Sequence, residues 1–268
     1  MSDALIPSKS PPSDGVLAFR CNICGVEGAG RPADWGRETR SCATCGSTAR
    51  MRSVIRLLAL EIFQRNLALP DFPVHPEIKG LGLSDWDGYA VPLKRKLGYE
   101  NTFYHQEPPL DISNPDPALQ GTLDFLIASD VFEHVAPPVS RAFEGARKLL
   151  KPAGVLIFTS PYSLNPDDVE HYPELDRYKL ARSMWGRRVL VNTTRDGRRQ
   201  KFPDPIFHGG PGNTIEMRLF SEAGLLRSFR NAGFIPRIWN DPDLEHGIFW
   251  PYKWSLPMSA RPAASGEK

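Results

Sequence analysis

The chain has four cysteines, and all of them fall between positions 21 and 45. They form two Cys-x-x-Cys pairs, Cys21/Cys24 and Cys42/Cys45, with seventeen residues between the pairs. This spacing is typical of a structural zinc site, because four thiolates complete a tetrahedral shell and leave no open position. A glycine follows each pair directly and permits the positive φ that a tight cysteine turn needs. We therefore predict a zinc ribbon over residues 19–49 with bound Zn²⁺.

Two other uses of the cysteines stay open. Two disulfides would fit the even count, but the first residues lack a basic segment followed by an apolar core, so we expect a cytoplasmic, reducing location. A redox-active pair would require only one Cys-x-x-Cys motif. The ribbon could support the main domain, or it could grip a substrate or partner. Residues 1–18, rich in Ser and Pro, are expected to be disordered.

A second group of reactive side chains, Asp130, Glu133 and His134, follows an apolar run. That run, Leu123 to Ala128, predicts a strand buried on both faces. Polar residues at its carboxyl end lie where an open parallel sheet binds its ligand. His134, with an ordinary pKa near neutrality, could act as a general base. The alternative is that it only caps or packs.

The segment after this group predicts the fold class. Apolar residues recur at helical spacing from Val139 to Leu150, and Pro152 to Gly154 end that helix. A second apolar run, Val155 to Phe158, predicts the next strand. Strand, helix and strand in this order form a right-handed crossover, so the sequence predicts an α/β, doubly wound, mostly parallel sheet.

The segments TLDFLIASDVFEHV and LLKPAGVLIFTSP resemble the fourth and fifth strands of class I S-adenosylmethionine-dependent methyltransferases of type 11. The resemblance covers residues 78–254 and implies a Rossmann-like sheet with an antiparallel last strand. It also implies S-adenosylmethionine across the carboxyl ends of the first, second and fourth strands, with Ser129 and Asp130 among its contacts. The alternative is another doubly wound domain, since a fold alone does not define a chemistry.

The stretch Ile78 to Asp85 should hold the first strand and the cofactor loop. The family usually has three alternating glycines there, and this chain has Gly80 and Gly82 followed by Leu, Ser and Asp. Glycine is needed where the backbone passes against a cofactor. By the resemblance, both glycines contact the cofactor, and Asp85 binds its amino group.

Two more acidic residues follow the next predicted elements, a helix over 89–97 and a strand over 101–105. Glu107 lies 25 residues after Gly82, near the spacing at which a carboxylate binds ribose hydroxyls. It could equally be an exposed turn residue before two prolines. Asp111 matches the family position that meets the adenine amino group.

Residues 163–220 are interpreted as an insertion on the substrate side, because loops at strand ends carry function. Residues 189–202 predict a hairpin with an Asp-Gly turn. The alternative is an ordered lid or an oligomer contact. The candidate substrate residues are His171, Tyr172, His208, Asn213 and Arg218.

The remaining elements complete the domain plan. An amphipathic helix over 50–66, within a linking segment 50–70, docks the ribbon, and its arginines could touch phosphate or simply be solvated. The methyltransferase domain is assigned to 71–258. It ends with a helix over 221–232 and two strands, 234–239 and 246–254. The tail, 259–268, is expected to be disordered.

Composition limits the partners. The net charge is +2, from 33 basic and 31 acidic residues, which indicates neither a nucleic-acid nor a membrane surface. No basic stripe with interleaved aromatics is evident, and no apolar run could span a bilayer. We therefore expect methyl transfer to a small-molecule or carbohydrate-type acceptor. The alternatives are an RNA methyltransferase that grips RNA with its ribbon and a non-catalytic scaffold protein.

Overall fold

The computed structural model describes residues 15–182, 186–208 and 214–264. Its α-helices are α1 (Ala49–Phe63), α2 (Asp87–Lys94), α3 (Ser140–Leu149) and α4 (Glu222–Asn231). Its strands are β1 (Leu17–Arg20), β2 (Glu27–Gly30), β3 (His75–Leu83), β4 (Leu97–Thr102), β5 (Leu123–Ser129), β6 (Leu150–Thr159), β7 (Tyr162–Ser163), β8 (Val169–Glu170), β9 (Arg177–Arg182), β10 (Arg188–Thr193), β11 (Arg199–Pro203), β12 (Phe207–His208), β13 (Thr214–Ile215), β14 (Arg218–Ser221), β15 (Phe234–Ile238) and β16 (Met258–Pro262).

A six-stranded sheet in the order β15-β16-β6-β5-β3-β4 forms the centre of the protein. Strands β4, β3, β5 and β6 run parallel, whereas β16 is antiparallel to both of its neighbours. The predicted α/β architecture, with a mostly parallel sheet and an antiparallel last strand, is confirmed. The connection from β3 to β4 leads to one side, and the chain then returns to place β5 on the other side of β3. This reversal creates a crevice at the carboxyl ends of β3 and β5.

Strand β5 shows why this sheet is covered on both faces. Phe125 and Ile127 are fully buried on the face that packs against α1 and α2. Leu126 and Ala128 are fully buried on the opposite face, with Phe143 of α3. Successive side chains of a strand alternate between faces, so a continuous apolar run supplies both cores at once.

Helix α3 confirms the predicted crossover. Its apolar stripe buries Phe143, whose ring meets Phe132 edge-on at 4.9 Å and Phe229 of α4 at 5.0 Å between ring centroids. Such edge-to-face pairs contribute about 0.5–1.5 kcal/mol beyond the burial of their area. They join the turn after β5 to the last helix of the chain.

The C-terminal part differs from its prediction in two ways. Residues 246–254 do not form a strand; a 3₁₀ turn at Leu244–His246 precedes Gly247, which has φ +69°. The last strand is instead β16, which begins at Met258 and so overlaps the segment predicted to be a disordered tail. Met258 is fully buried and Ala260 is 1% exposed, because β16 lies between β15 and β6. Local composition gave no sign of these two neighbours.

The N-terminal module is a β1-β2 hairpin followed by two cysteine turns and α1. Strand β1 shows that the predicted disorder over 1–18 extends too far; residues 1–14 lie outside the described part of the chain. Thr48 caps α1 by accepting a hydrogen bond from the Met51 amide, and Gln64 ends it in the left-handed conformation. The predicted linking helix is thus confirmed, within one to three residues at each end.

The insertion contains its own small sheets. Strands β10 and β11 form the predicted hairpin, and Gly197 of its Asp-Gly turn has φ +88°. Strand β9 adds a third strand on the other side of β10. None of the helices in the described ranges combines the length and apolar character required to span a bilayer.

Candidate functional site

The four cysteines come together as predicted. Their sulfur atoms all lie within 4.8 Å of one another. The Sγ atoms of Cys21 and Cys45 are 3.7 Å apart, and those of Cys24 and Cys42 are 3.8 Å apart. A tetrahedral zinc with bonds of about 2.3 Å requires sulfur separations of about 3.8 Å. The sulfur positions therefore fit a four-coordinate Zn²⁺ and are too far apart for disulfides.

Each cysteine pair is held by a turn with the same hydrogen bond. The amide of Gly25 donates to the Cys21 carbonyl at 2.8 Å, and the amide of Gly46 donates to the Cys42 carbonyl at 2.8 Å. Both glycines have positive φ, +77° and +72°. Glycine adopts this conformation without the cost that a side chain would incur.

Arg52 provides a second, independent indication of a charged metal centre. Its guanidinium is fully buried and donates to neutral oxygens, those of Ser41, Ser47 and Gly247. Burial lowers the Arg52 pKa, and the charges of the four cysteine sulfurs oppose that shift. Four thiolates around a bound Zn²⁺ would carry a net charge of −2 and would supply the counter-charge that a buried cation needs.

Ribbon and sheet meet at the carboxyl ends of β3 and β5. Arg37, in the ribbon, donates two hydrogen bonds to the Asp130 carboxylate at 2.9 and 2.5 Å. Arg50, at the start of α1, lies 3.1 Å from the same carboxylate and donates to the Ser129 hydroxyl at 2.7 Å. Burial opposes ionisation of Asp130, but the two arginine charges outweigh it and hold its pKa below the usual range. The crevice thus contains an ionised carboxylate next to two guanidinium groups.

The two strand ends that border the crevice share an unusual backbone. Ser84 follows β3 with φ +57°, and Asp130 follows β5 with φ +56°. Residues other than glycine rarely adopt this conformation, which costs on the order of 1–3 kcal/mol and is concentrated at binding and catalytic sites. A hydrogen bond from the Asp130 amide to the Thr159 carbonyl at 2.8 Å helps to hold one of these turns.

Gly80 and Gly82 lie inside β3 rather than in a loop, which corrects the sequence prediction. A Cβ on Gly80 would lie 2.1 Å from the Phe125 ring, and one on Gly82 would lie 2.1 Å from both Asp85 Oδ2 and the Tyr99 hydroxyl. The glycines therefore make room for buried side chains of this protein. Their predicted contacts with the cofactor are not tested by the described residues and stay predictions.

Asp85 also has an internal role that the sequence did not show. It is 6% exposed, and its two carboxylate oxygens accept hydrogen bonds from the hydroxyls of Tyr89 and Tyr99, both at 2.7 Å. Burial raises its pKa to about 7, although these hydrogen bonds oppose the shift. The predicted contact between Asp85 and a cofactor amino group would require this closed cluster to open.

Glu107 and Asp111 lie beyond β4 in an exposed loop. The Asp111 carboxylate accepts a hydrogen bond from the Ser113 amide at 2.8 Å, which is a local turn. Nothing in the described structure tests the predicted contacts of these two residues with ribose and adenine, so they stay predictions.

Glu133 and His134 form the reactive pair at the end of β5. Glu133 is 1% exposed; its Oε2 accepts from the Ser160 hydroxyl at 2.9 Å, and its Oε1 has no hydrogen-bond partner in the described residues. Burial, followed by the charge of Asp130, raises the Glu133 pKa to about 8. His134 Nε2 lies 3.8 Å from Glu133 Oε1. With this raised pKa, the Glu133 carboxyl keeps its proton near neutral pH, next to His134 at the crevice.

The tautomer of His134 follows from its other nitrogen. His134 Nδ1 lies 2.9 Å from the carbonyl oxygen of Ile215. A carbonyl can only accept, so Nδ1 carries the proton and the neutral ring presents a lone pair at Nε2. A lone pair in this position is what a general base requires. The insertion therefore orients His134 through the Ile215 backbone.

Three of the proposed substrate residues have partners inside the protein, and their contacts with a substrate stay predictions. Arg218 is fully buried and donates to the carbonyls of Phe132 and Val135 and to Glu170. The side chain of Tyr172 lies in the apolar core of the insertion. His171 Nε2 lies 2.8 Å from Glu216. The backbone of His208 belongs to β12, and Asn213 lies outside the described residues.

Sequence reasoning missed the residues that connect the ribbon to the crevice. No sequence pattern singles out Arg37. Arg50 is one of the arginines of the helix predicted over 50–66, for which contact with phosphate or solvent was expected, whereas its side chain is largely buried against Ser129 and Asp130. Its position shortly after the last cysteine was the one available signal, because the second cysteine turn lies directly before α1.

No protein-family model and no curated protein matches this chain. Among solved structures it is similar to the 1,6-didemethyltoxoflavin-N1-methyltransferase of Burkholderia thailandensis, with 16% identity, 81% of this chain and 79% of that chain covered, and a TM-score of 0.45. It is also similar to an S-adenosylmethionine-dependent methyltransferase of Clostridium acetobutylicum, with 13% identity, 80% and 92% covered, and a TM-score of 0.46. A sugar N-methyltransferase of Streptoalloteichus gives 13% identity, 80% and 87% covered, and 0.45. Similarity at this level does not assign an activity.

Proposed function

We propose that this chain is an S-adenosylmethionine-dependent methyltransferase that acts on a small-molecule or carbohydrate-type acceptor. The observation that carries the proposal is the set of charges in the crevice between β3 and β5. Asp130 can bind an ammonium group there, and Arg37 and Arg50 can bind a carboxylate. An amino-acid zwitterion has both groups, and the methionine end of S-adenosylmethionine is such a zwitterion.

The remaining cofactor contacts follow the resemblance. Ser129 would add a hydroxyl next to Asp130, and Glu107 and Asp111 lie past the end of β4, on the side where the nucleoside would bind. When bound, the cofactor supplies a methyl group on a positively charged sulfur, which is already activated for transfer. The protein must therefore mainly position the acceptor and exclude water.

The chain's own contribution to the chemistry is proton handling. His134 Nε2 can take a proton from an acceptor hydroxyl or ammonium group, which increases its nucleophilicity. Glu133, with its pKa raised to about 8, stays protonated and uncharged near neutral pH. A neutral Glu133 adds no negative charge next to His134, 3.8 Å from its Nε2.

Zinc has a structural role in this proposal. With four sulfur ligands the metal has no open position, so it does not act on the substrate. It holds the segment that carries Arg37 and Arg50 against Asp130. Arg37 in the ribbon and Arg50 and Arg52 in α1 bind groups inside the protein, so these three arginines do not favour an RNA grip.

A non-catalytic scaffold is the second candidate, and one observation favours it. Asp130 already has two arginine partners, and Asp85 is closed off by two tyrosines. With the carboxylates of the crevice already paired inside the protein, the chain could bind the cofactor without catalysing methyl transfer.

One experiment separates the two candidates. The zinc-loaded protein is incubated with S-adenosylmethionine carrying a labelled methyl group and with pools of small molecules, glycans and RNA. Label in the small-molecule or glycan pool, lost in His134→Gln, supports the proposal. Cofactor binding with no labelled product in any pool supports the scaffold. Label in RNA alone contradicts the proposed acceptor class.

A further inference from the structure

The insertion concentrates positive charge that the whole-chain composition hides. Residues 177–203 contain nine Lys or Arg and one Asp, a net charge of +8 in a chain whose total is +2. The rest of the chain is therefore acidic. This corrects the expectation that the chain has no basic surface.

The register of the three-stranded sheet sorts these charges by face. Residues directly opposite each other in an antiparallel pair point to the same face. One face, with Leu190 at its centre, is buried against the core of the insertion. On the other face, two residues of the central strand β10 each lie between a cation of β9 and a cation of β11. The two cross-strand rows are Lys179–Val191–Lys201 and Arg177–Thr193–Arg199.

The four cations of these rows lack close acidic partners. Lys179, Arg199 and Lys201 take part in none of the ion pairs between described residues, and Arg177 has only Asp176 at 3.8 Å. By contrast, Arg198, in the nearby turn, pairs closely with Glu174 and Asp196. The four cations of the two rows can therefore bind an anionic ligand.

This face is concave. A shallow groove of about 630 Å³ runs over Val191 and Thr193. Its lining also contains the cations Arg177, Lys179 and Arg199, one carboxylate, Asp176, and one aromatic residue, Tyr178. Neighbouring strands are about 4.8 Å apart, so the cations of β9 and β11 lie about 10 Å from each other across the groove. That width admits one extended chain, and a concave face does not fit a flat bilayer.

The floor of the groove distinguishes between types of extended anion. Single-stranded nucleic acids bind through aromatic side chains on which bases stack. Here the lining has a single aromatic residue, Tyr178, beside Val191 and Thr193, so the groove has no row of aromatic rings. The groove offers charge and small apolar contacts, which suit a chain of charged sugars better than a row of bases.

The same small domain orients the candidate catalytic histidine. Ile215 and Met217 belong to the core under the buried face of the sheet. The Ile215 carbonyl accepts from His134 Nδ1, and the Met217 amide donates to the Glu133 carbonyl at 2.8 Å. A ligand bound to the β9-β10-β11 sheet therefore lies on the same small domain that positions Glu133 and His134.

From these observations we infer that the outer face of β9-β10-β11 binds an anionic carbohydrate chain with repeated carboxylate, phosphate or sulfate groups, which carries the methyl acceptor. The role as acceptor depends on the proposed methyl transfer, whereas the binding does not. The cations bind the anionic groups on both sides of the groove, and the sugar backbone lies over Val191 and Thr193.

The test is a binding titration without S-adenosylmethionine. The probes are fluorescently labelled polygalacturonate and dextran sulfate, with neutral dextran and poly-uridylate as comparisons. The variant Arg177→Gln/Lys179→Gln/Arg199→Gln/Lys201→Gln removes the four charges. The matched control Lys94→Gln/Arg95→Gln/Arg141→Gln/Lys148→Gln removes four exposed cations of or next to α2 and α3. Circular dichroism confirms that both variants fold.

We expect the wild type and the control to bind at least one acidic glycan, and the groove variant to bind it on the order of tenfold or more weakly, since four exposed ion pairs are lost. Binding should weaken as salt is added. Unchanged affinity in the groove variant, no acidic-glycan binding by the wild type, or tighter binding of poly-uridylate would each overturn the inference. Glycan binding without methyl transfer would contradict the proposed function and leave the groove assignment standing.

Discussion

Arg37 of the metal ribbon and Asp130 at the end of β5 form a two-point ion pair, although 93 residues separate them in the chain. The Arg37 side chain is 14% exposed and the Asp130 side chain 20%. Through this pair the ribbon that contains the four cysteines contacts the crevice where the sheet reverses its strand order.

A double-mutant cycle measures the coupling free energy between Arg37 and Asp130. Arg37→Gln and Asp130→Asn should each destabilise the protein, and the coupling between them should lie in the range of about 0.5–3 kcal/mol, because the charges are largely buried. Urea unfolding of the four proteins gives the value. The same cycle on the exposed pair Arg31–Asp34 is the control and should give less than about 1 kcal/mol. Equal coupling for the two pairs would show that the ribbon is only loosely docked.

The second prediction concerns the metal. The purified protein should contain one zinc per chain, and Arg52→Met should bind it more weakly, because the variant removes the buried positive charge next to four thiolates. Competition with a chromogenic chelator measures the affinity. Arg56→Met, also on α1 but paired with Asp243, is the matched control and should keep the wild-type zinc affinity. Identical affinities in both variants would remove the counter-charge role from Arg52.

The third prediction concerns pH. Glu133 has its pKa raised to about 8 and Asp85 to about 7, so between pH 5 and 8 the folded protein binds more protons than the unfolded chain. The free energy of unfolding should therefore fall as pH rises through this window. Glu133→Gln cannot ionise and should flatten that fall. Urea unfolding at several pH values tests this, and a wild type whose stability rises from pH 5 to 8 would refute it.

The fourth prediction addresses the glycines of β3. Gly82→Ala would place a methyl group within 2.1 Å of the Asp85–Tyr99 pair and should destabilise the protein by about 1–3 kcal/mol. Adding Tyr99→Phe removes the hydroxyl from that contact and should recover part of the loss. If Gly82→Ala leaves stability unchanged but abolishes cofactor binding, the glycine faces the cofactor after all.

The sequence was informative where a pattern is local. The two Cys-x-x-Cys pairs, the apolar run of β5, the stripe of α3 and the Asp-Gly turn at Gly197 each determine a structure within a few residues. These features were enough to predict the cysteine cluster and the mostly parallel sheet.

Prediction failed where distant partners decide the outcome. Strand β16 has no marked β pattern and becomes a strand because β15 and β6 flank it. Gly80 has the local pattern of a loop glycine, but the reason for a glycine there is the ring of Phe125. That residue is 45 positions away, so the local sequence does not indicate the contact. Arg50 has the local pattern of a solvated helix residue, but in the folded protein its side chain lies against Ser129.

Calorimetry on the zinc-loaded protein shows whether the crevice at Asp130 binds S-adenosylmethionine. We expect micromolar binding to the wild type and weaker binding to both Arg50→Gln and Asp130→Asn, with the zinc content of all three proteins unchanged. The absence of binding up to millimolar cofactor in a folded, zinc-loaded protein would contradict this expectation.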